Sequence, residues 1–294
     1  MHKLLQQSNK TRRSLITYVL LALFFIVAIW LLYIFLFLKP SNNKQWDVGF
    51  DRLSGISRDE SAVTIKNFRD FTYVKGKQTK TGYREVQVNI QDVERVWFMY
   101  EPFTVQPFTT FGGIAHTYFT FDFKNHEPLV VSVEARREKG ENYSTYTGAF
   151  NKFELQYIWG SETDFDKQRA FSDNDGLYMF PLQLSTDAAR KLFLQMVDTS
   201  IDLEKNPRFY NSLTSNCTNE LAKNANDVRS RTVPFDKAWI FPGYSDEFLY
   251  RLKLIPTDKP LEQIREKYYV TEKMKELDNS PHFSEEIRKY VLSF

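Results

Sequence analysis

From Leu15 to Leu38 the chain is apolar at every position except Thr17 and carries no charge. About 24 residues of helix extend roughly 36 Å, slightly more than the hydrocarbon core of a bilayer. Lys3, Lys10, Arg12 and Arg13 precede the stretch, and Lys39 and Lys44 follow it. That bias predicts a cytoplasmic segment 1–14, a transmembrane helix 15–38 and an exported body. A cleaved signal peptide has a shorter apolar region ending at a small-residue site. Here the stretch ends Leu36-Phe37-Leu38-Lys39-Pro40, which favours an uncleaved anchor.

Beyond a polar linker, 39–60, the pattern changes to short alternating runs. Ser61–Ile65 and Phe71–Val74 read as strands, and Tyr83–Ile90 alternates Val86, Val88 and Ile90 on one face. Val93–Tyr100 is a more continuous apolar run, as a central strand requires. After Gly112-Gly113, Ala115–Phe123 sets Thr117, Phe119, Phe121 and Phe123 against His116, Tyr118, Thr120 and Asp122. A turn at Lys124–Pro128 leads to Leu129–Arg136, which sets Val131, Val133 and Ala135 against Ser132, Glu134 and Arg136. The two runs make a β-hairpin. Keeping polar side chains opposite polar ones requires an odd-numbered turn, and one such register sets Glu134 across from His116; an even register would set Ala135 there.

Phe153–Trp159 is another strand. Ser161–Asp175 is a charged loop or short helix, and Leu177–Leu182 an edge strand. Ser185 or Thr186 caps a helix reaching about Ile201, with Ala189, Leu192, Phe193, Met196 and Val197 as its apolar stripe. Arg208–Thr214 is extended. A helix then begins at Cys217, with Leu221, Ala222, Ala225 and Val228 on its apolar side. Further helices are expected from Ser245 and along the charged segment 256–294. The class is α+β, with an antiparallel sheet and packed helices in one domain, 61–255.

Composition narrows the function. Lys and Arg number 39 against 37 Asp and Glu, a net charge of +2. Nucleic-acid binding needs a strong, clustered positive excess, so no nucleic-acid partner is expected. Aromatics reach 16 %, which suits a β-rich core or work beside a membrane. Four scattered histidines and a single cysteine give no metal-ligand spacing, and no metal or other cofactor is expected.

The single cysteine, Cys217, cannot form an internal disulfide, so in an exported body it is either buried packing or a reactive thiol. A helix N-terminus lowers a thiol pKa through the dipole and its free N–H groups. Such a nucleophile needs a base and a group to orient that base. His2 falls on the cytoplasmic side, His126 in a turn and His282 in the tail. His116 alone lies on a patterned strand, so it is the expected base, with Glu134 behind it. The sequence leaves open whether the backbone alone or also the Asn216 side chain would hold an oxyanion.

A histidine strand preceding a cysteine helix is the order found in circularly permuted papain-like proteins, such as permuted NlpC/P60 proteins and the lecithin–retinol acyltransferase group, whose Asn-Cys pair Asn216-Cys217 resembles. Longer motifs carry a closer likeness: Ala115-His116-Thr117, Ser132–Glu138, Tyr157–Asp164, Tyr178–Leu182, and Phe209-Tyr210-Asn211 leading to Ser215–Asn219. Together they resemble the Lnb N-terminal periplasmic domain family. The resemblance implies a bacterial inner-membrane protein with its body in the periplasm, and a nucleophile Cys217 with base His116. The family's namesake is implied to be a lipoprotein N-acyltransferase working through a thioester, so lipoprotein, phospholipid or cell-wall peptide are the implied substrates. This chain departs from it in having no apolar stretch of spanning length after residue 38. The expectation is a membrane-anchored thiol enzyme for acyl transfer or amide hydrolysis. The alternatives are an amidohydrolase of NlpC/P60 type and a non-catalytic envelope binding protein with 256–294 as its partner surface.

Overall fold

The computed structural model describes residues 2–103, 113–172, 176–228 and 232–293, the side chains of 2–13, 35, 227 and 228 excepted. Gly112, Asp175 and the side chains of His2, Lys3, Lys10, Arg12, Arg13 and Val228, all named above, lie outside that set. Residues 1–40 and 41–294 form two compact units. The first is helix α1 (His2–Phe37), whose span Ser14–Ile34 is long and apolar enough to cross a membrane.

In the body, β1 (Ile56–Arg58), β2 (Ala62–Arg69), β3 (Thr72–Val74), β4 (Lys77–Lys80), β5 (Tyr83–Asn89) and β6 (Val93–Pro102) lead to the hairpin β7 (Ala115–Phe123) and β8 (Leu129–Arg136). There follow α2 (Thr145–Gly148), β9 (Phe153–Ser161), α3 (Glu162–Ala170), β10 (Tyr178–Pro181), α4 (Thr186–Lys205), β11 (Phe209–Tyr210) and α5 (Cys217–Val228). Four helices complete it: α6 (Ser245–Arg251), α7 (Leu261–Tyr268), α8 (Thr271–Glu276) and α9 (Phe283–Leu292). The main sheet runs β1-β2-β9-β8-β7-β6-β10, with β5 on β2 and β11 on β9. Its pairings are antiparallel except for one parallel contact, Arg69↔Gly160. The fold is therefore mixed α+β with a mostly antiparallel sheet.

Tyr118 pairs with Ser132 and Phe119 with Val131, so the hairpin takes the odd register. Its alternation sorts two buried faces. On one, Phe121 and Trp159 meet Phe193 of α4 with ring centroids 5.4 and 5.6 Å apart. On the other, polar side chains are buried under α3 and α9. The charged segment after Ser161 is this helix α3, capped by Ser161 and largely buried. Two of its buried acids meet cations, and Asp166 accepts from the Tyr118 hydroxyl at 2.7 Å. Asp164 accepts from Nε and Nη2 of Arg69, each at 2.9 Å, and Arg288 of α9 bridges Glu162 at 2.8 Å and Asp122 of β7 at 2.6 Å. Residues beyond 255 belong to the same core, with Ile264, Met274 and Ile287 fully buried. Trp46 and Phe50 join it from the other end: the Arg136 guanidinium lies 4.0 Å from the Trp46 ring and donates to the Phe50 carbonyl at 2.8 Å.

Gly160 sits where β9 meets β2. A Cβ there would stand 2.6 Å from the Arg69 carbonyl oxygen and 2.7 Å from the Phe165 ring. Backbone on one side and a packed aromatic on the other leave no room to yield. Gly160→Ala is expected to cost about 1–3 kcal/mol, read as a lower denaturation midpoint at unchanged m value.

Candidate active site

Three adjacent strands present a row of chemistry at one end of the sheet. Glu101 of β6 is the Cα partner of His116 on β7, and the hairpin register continued two places from Tyr118↔Ser132 sets Glu134 of β8 on the other side. Arg169 of α3 spans the row, 3.2 Å from Glu101 and 3.3 Å from Glu134. His116 stacks on Tyr118 with centroids 5.7 Å apart, and the Arg169 guanidinium lies 4.8 Å from the same ring.

Hydrogen bonding orients the imidazole. Ser132 Oγ donates to Glu134 Oε1 at 2.7 Å, so His116 Nε2 donates to Ser132 Oγ at 2.8 Å, with Glu134 Oε1 at 3.3 Å. Both partners claim Nε2 and leave Nδ1 as the ring nitrogen available to the thiol.

The thiol arrives on the first turn of α5. Asn216 and Asn219 cap that turn reciprocally: Asn219 N–H donates to Asn216 Oδ1 at 2.9 Å, and Asn216 N–H donates to Asn219 Oδ1. Asn216 Nδ2 gives its two hydrogens to the carbonyls of Ser212 and Trp239, each at 2.9 Å. Its amide N–H groups are thereby both engaged by backbone carbonyls. Glu220 N–H bonds the Asn216 carbonyl, so Cys217 and Thr218 carry the first-turn N–H groups left over from capping. Thr218 Oγ1 meets Thr117 Oγ1 at 3.0 Å, and Glu220 accepts from Tyr157 at 3.0 Å and Ser215 at 2.7 Å, which pins the turn to β7 and β9. Cys217 Sγ is buried, 4.0 Å from the Ala115 carbonyl.

The electrostatics tie the three residues together. Burial pushes the His116 imidazolium pKa down. The Glu134 charge and hydrogen bonds to Cys217 and Glu134 outweigh it, against opposition from Arg169, and hold the value up at about 10. Burial pushes the Cys217 thiol up, but the His116 hydrogen bond and charge, with help from Thr117, bring it below its ordinary value. Burial raises Glu134 too, and His116, Arg169 and Ser132 reverse that and hold it far below the usual carboxylate range. The two shifts lean toward a thiolate beside an imidazolium.

Cys217, His116 and Glu134 line one cavity of about 300 Å³. Its wall mixes apolar side chains such as Phe50, Phe103, Ile114 and Tyr143 with charged Glu101, Arg137 and Arg169. His126, bonded to the Glu127 carbonyl, and exposed His282 line no part of it. Sequence reasoning missed Arg169, Glu101 and the bridging role of Ser132. Glu101 was recoverable only with the β6–β7 register, and Arg169 looked like any other charge in a polar segment.

No metal-binding group of three or more His, Cys, Asp or Glu occurs among the described residues. Among known proteins, the sequence profile of the Lnb N-terminal periplasmic domain matches residues 80–240, more than half of the chain and all three site residues. No curated protein and no solved structure matches the chain.

Proposed function

Because this chain belongs to the Lnb N-terminal periplasmic domain family, we propose that it is a membrane-anchored periplasmic thiol enzyme. Its nucleophile is Cys217, its proton carrier His116 and its orienting carboxylate Glu134, in a permuted papain-like arrangement. The N-terminus lies in the cytoplasm, α1 crosses the inner membrane, and the body works in the periplasm. One observation carries the reading: a buried thiol at a helix start shares a cavity with an imidazole whose far nitrogen is held by Ser132 and Glu134.

The Cys217 thiolate attacks an acyl carbonyl and forms the C–S bond. The oxyanion meets the N–H groups of the first turn of α5. Collapse breaks the bond to the leaving alcohol or amine, which takes the proton from His116, and leaves a thioester. A second nucleophile, an amine or water, then gives its proton to His116 and attacks the thioester, which restores the thiolate. Glu134 stabilises the imidazolium each time it forms, and Arg169 keeps Glu134 ionised.

An amine acceptor makes the protein an acyltransferase, and water makes it a hydrolase. Charged Glu101, Arg137 and Arg169 in the cavity wall favour polar substrates and support amide hydrolysis of wall peptide as the second reading. Intact-mass spectrometry decides. Full-length protein incubated with phospholipid vesicles or with acylated peptide gains one acyl mass on Cys217, and Cys217→Ala gains none. No adduct from either donor, with cellular function intact in Cys217→Ser, sinks the enzyme reading and favours a binding protein.

A further inference from the structure

We propose that Arg137 sets substrate choice in this cavity by receiving an anionic two-oxygen group, carboxylate or phosphodiester, on the molecule whose carbonyl Cys217 attacks. The inference rests on the thiol reading above and adds the substrate's charge to it.

Arg137 follows the last residue of β8 and lines the same cavity as Cys217 and His116. Its carbonyl accepts the Asp47 N–H at 3.0 Å, and its guanidinium lies 4.7 Å from the Phe50 ring. The side chain is thus positioned from both ends. Its Nε is buried and has no hydrogen-bond partner among the described residues. The neighbouring cations are engaged. Arg169 faces Glu101 and Glu134, His116 faces Glu134, and Arg136 donates to Phe50 and Asn42. Its Nη groups have no acceptor among the described residues either, so the fork that lines the cavity is left unpaired, and unpaired donors of this kind call for a partner. A planar fork held over an aromatic ring matches the two oxygens of a carboxylate or phosphate and loses little freedom on binding them.

Because the chain has a single cysteine, alkylation reports this site alone. The test measures Cys217 alkylation in detergent-solubilised full-length protein by iodoacetate, which carries a carboxylate, and by neutral iodoacetamide. Their rate ratio cancels changes in thiol reactivity. The ratio is expected to fall roughly tenfold in Arg137→Gln, about 1.4 kcal/mol of lost attraction. Arg137→Lys keeps the charge without the fork and is expected to fall about threefold, and it stands in if the glutamine variant does not fold. An unchanged ratio overturns the inference. If iodoacetamide itself leaves wild-type Cys217 untouched, the thiol reading falls, and this inference with it. A second arm follows protection of Cys217 by dihexanoyl-phosphatidylglycerol or by N-acetyl-dialanine. Protection by the first that Arg137→Gln abolishes identifies a phosphodiester source, and by the second a peptide carboxylate. Protection by neither overturns the inference.

Discussion

His116→Ala is expected to cost 10²–10⁴-fold in acyl transfer, the usual range for losing a positioned proton carrier. The reason is twofold. The leaving group loses its proton donor, and the thiol loses the hydrogen bond and charge that oppose its burial. A pH profile separates these from simple misfolding. In the wild type, Cys217 alkylation rises with pH through a point below the ordinary thiol value, because the folded thiol is shifted down. Acyl transfer then falls as pH passes about 10, where imidazolium loses its proton. In His116→Ala the alkylation limb moves up, since only the Thr117 hydrogen bonds then oppose burial. Glu134→Gln removes the largest effect raising the histidine, so its alkaline limb moves down. Coincident alkylation profiles for wild type and His116→Ala would show that the two residues are uncoupled.

The second large effect is structural. Arg288 links α9 to Asp122 on β7 and Glu162 on α3, through four hydrogen bonds between 2.6 and 2.9 Å. Its Met variant keeps the aliphatic bulk and leaves two buried carboxylates without their cation. Breaking a buried pair from one side costs about 3–5 kcal/mol. Chemical denaturation of solubilised full-length protein is the measurement. Trp97 donates to Asp122 at 2.8 Å, so its fluorescence reports on the cluster directly. Arg288→Met with Glu162→Gln should recover part of the loss, because the second change removes one of the stranded charges. A loss below about 1 kcal/mol would place the cluster with ordinary surface pairs.

Where hydrophobic rhythm was strong, the sequence could be read closely. Polarity matching in residues 115–136 selects the observed hairpin register, and the register brings Glu134 to His116. The apolar stripe of α4 is the one that Phe193 presents to Phe121 and Trp159. What escaped was buried charge. Asp164, Asp166 and Glu162 are hidden as thoroughly as the aromatics around them, yet a hydrophobic pattern scores every acid as solvent-facing. Each is contacted by a cation or hydroxyl far along the chain, Arg69, Tyr118 or Arg288. Such pairings have no local signature. The same blindness applies to Arg169 over the site. It applies also to β1 and β4, three and four residues long, too short to establish a period.

Asp122 and Arg288 stand 166 residues apart along the chain. A ribosome adding about 5–20 residues per second takes roughly 10–30 s to cover that distance. During that interval a body emerging N-terminus first holds Asp122 and Glu162 with no guanidinium between them. The wall behind the His116 strand closes only when α9 arrives. Nascent chains halted before residue 283 should therefore remain protease-sensitive across β7 and α3, and a peptide spanning α9 supplied in trans should restore protection.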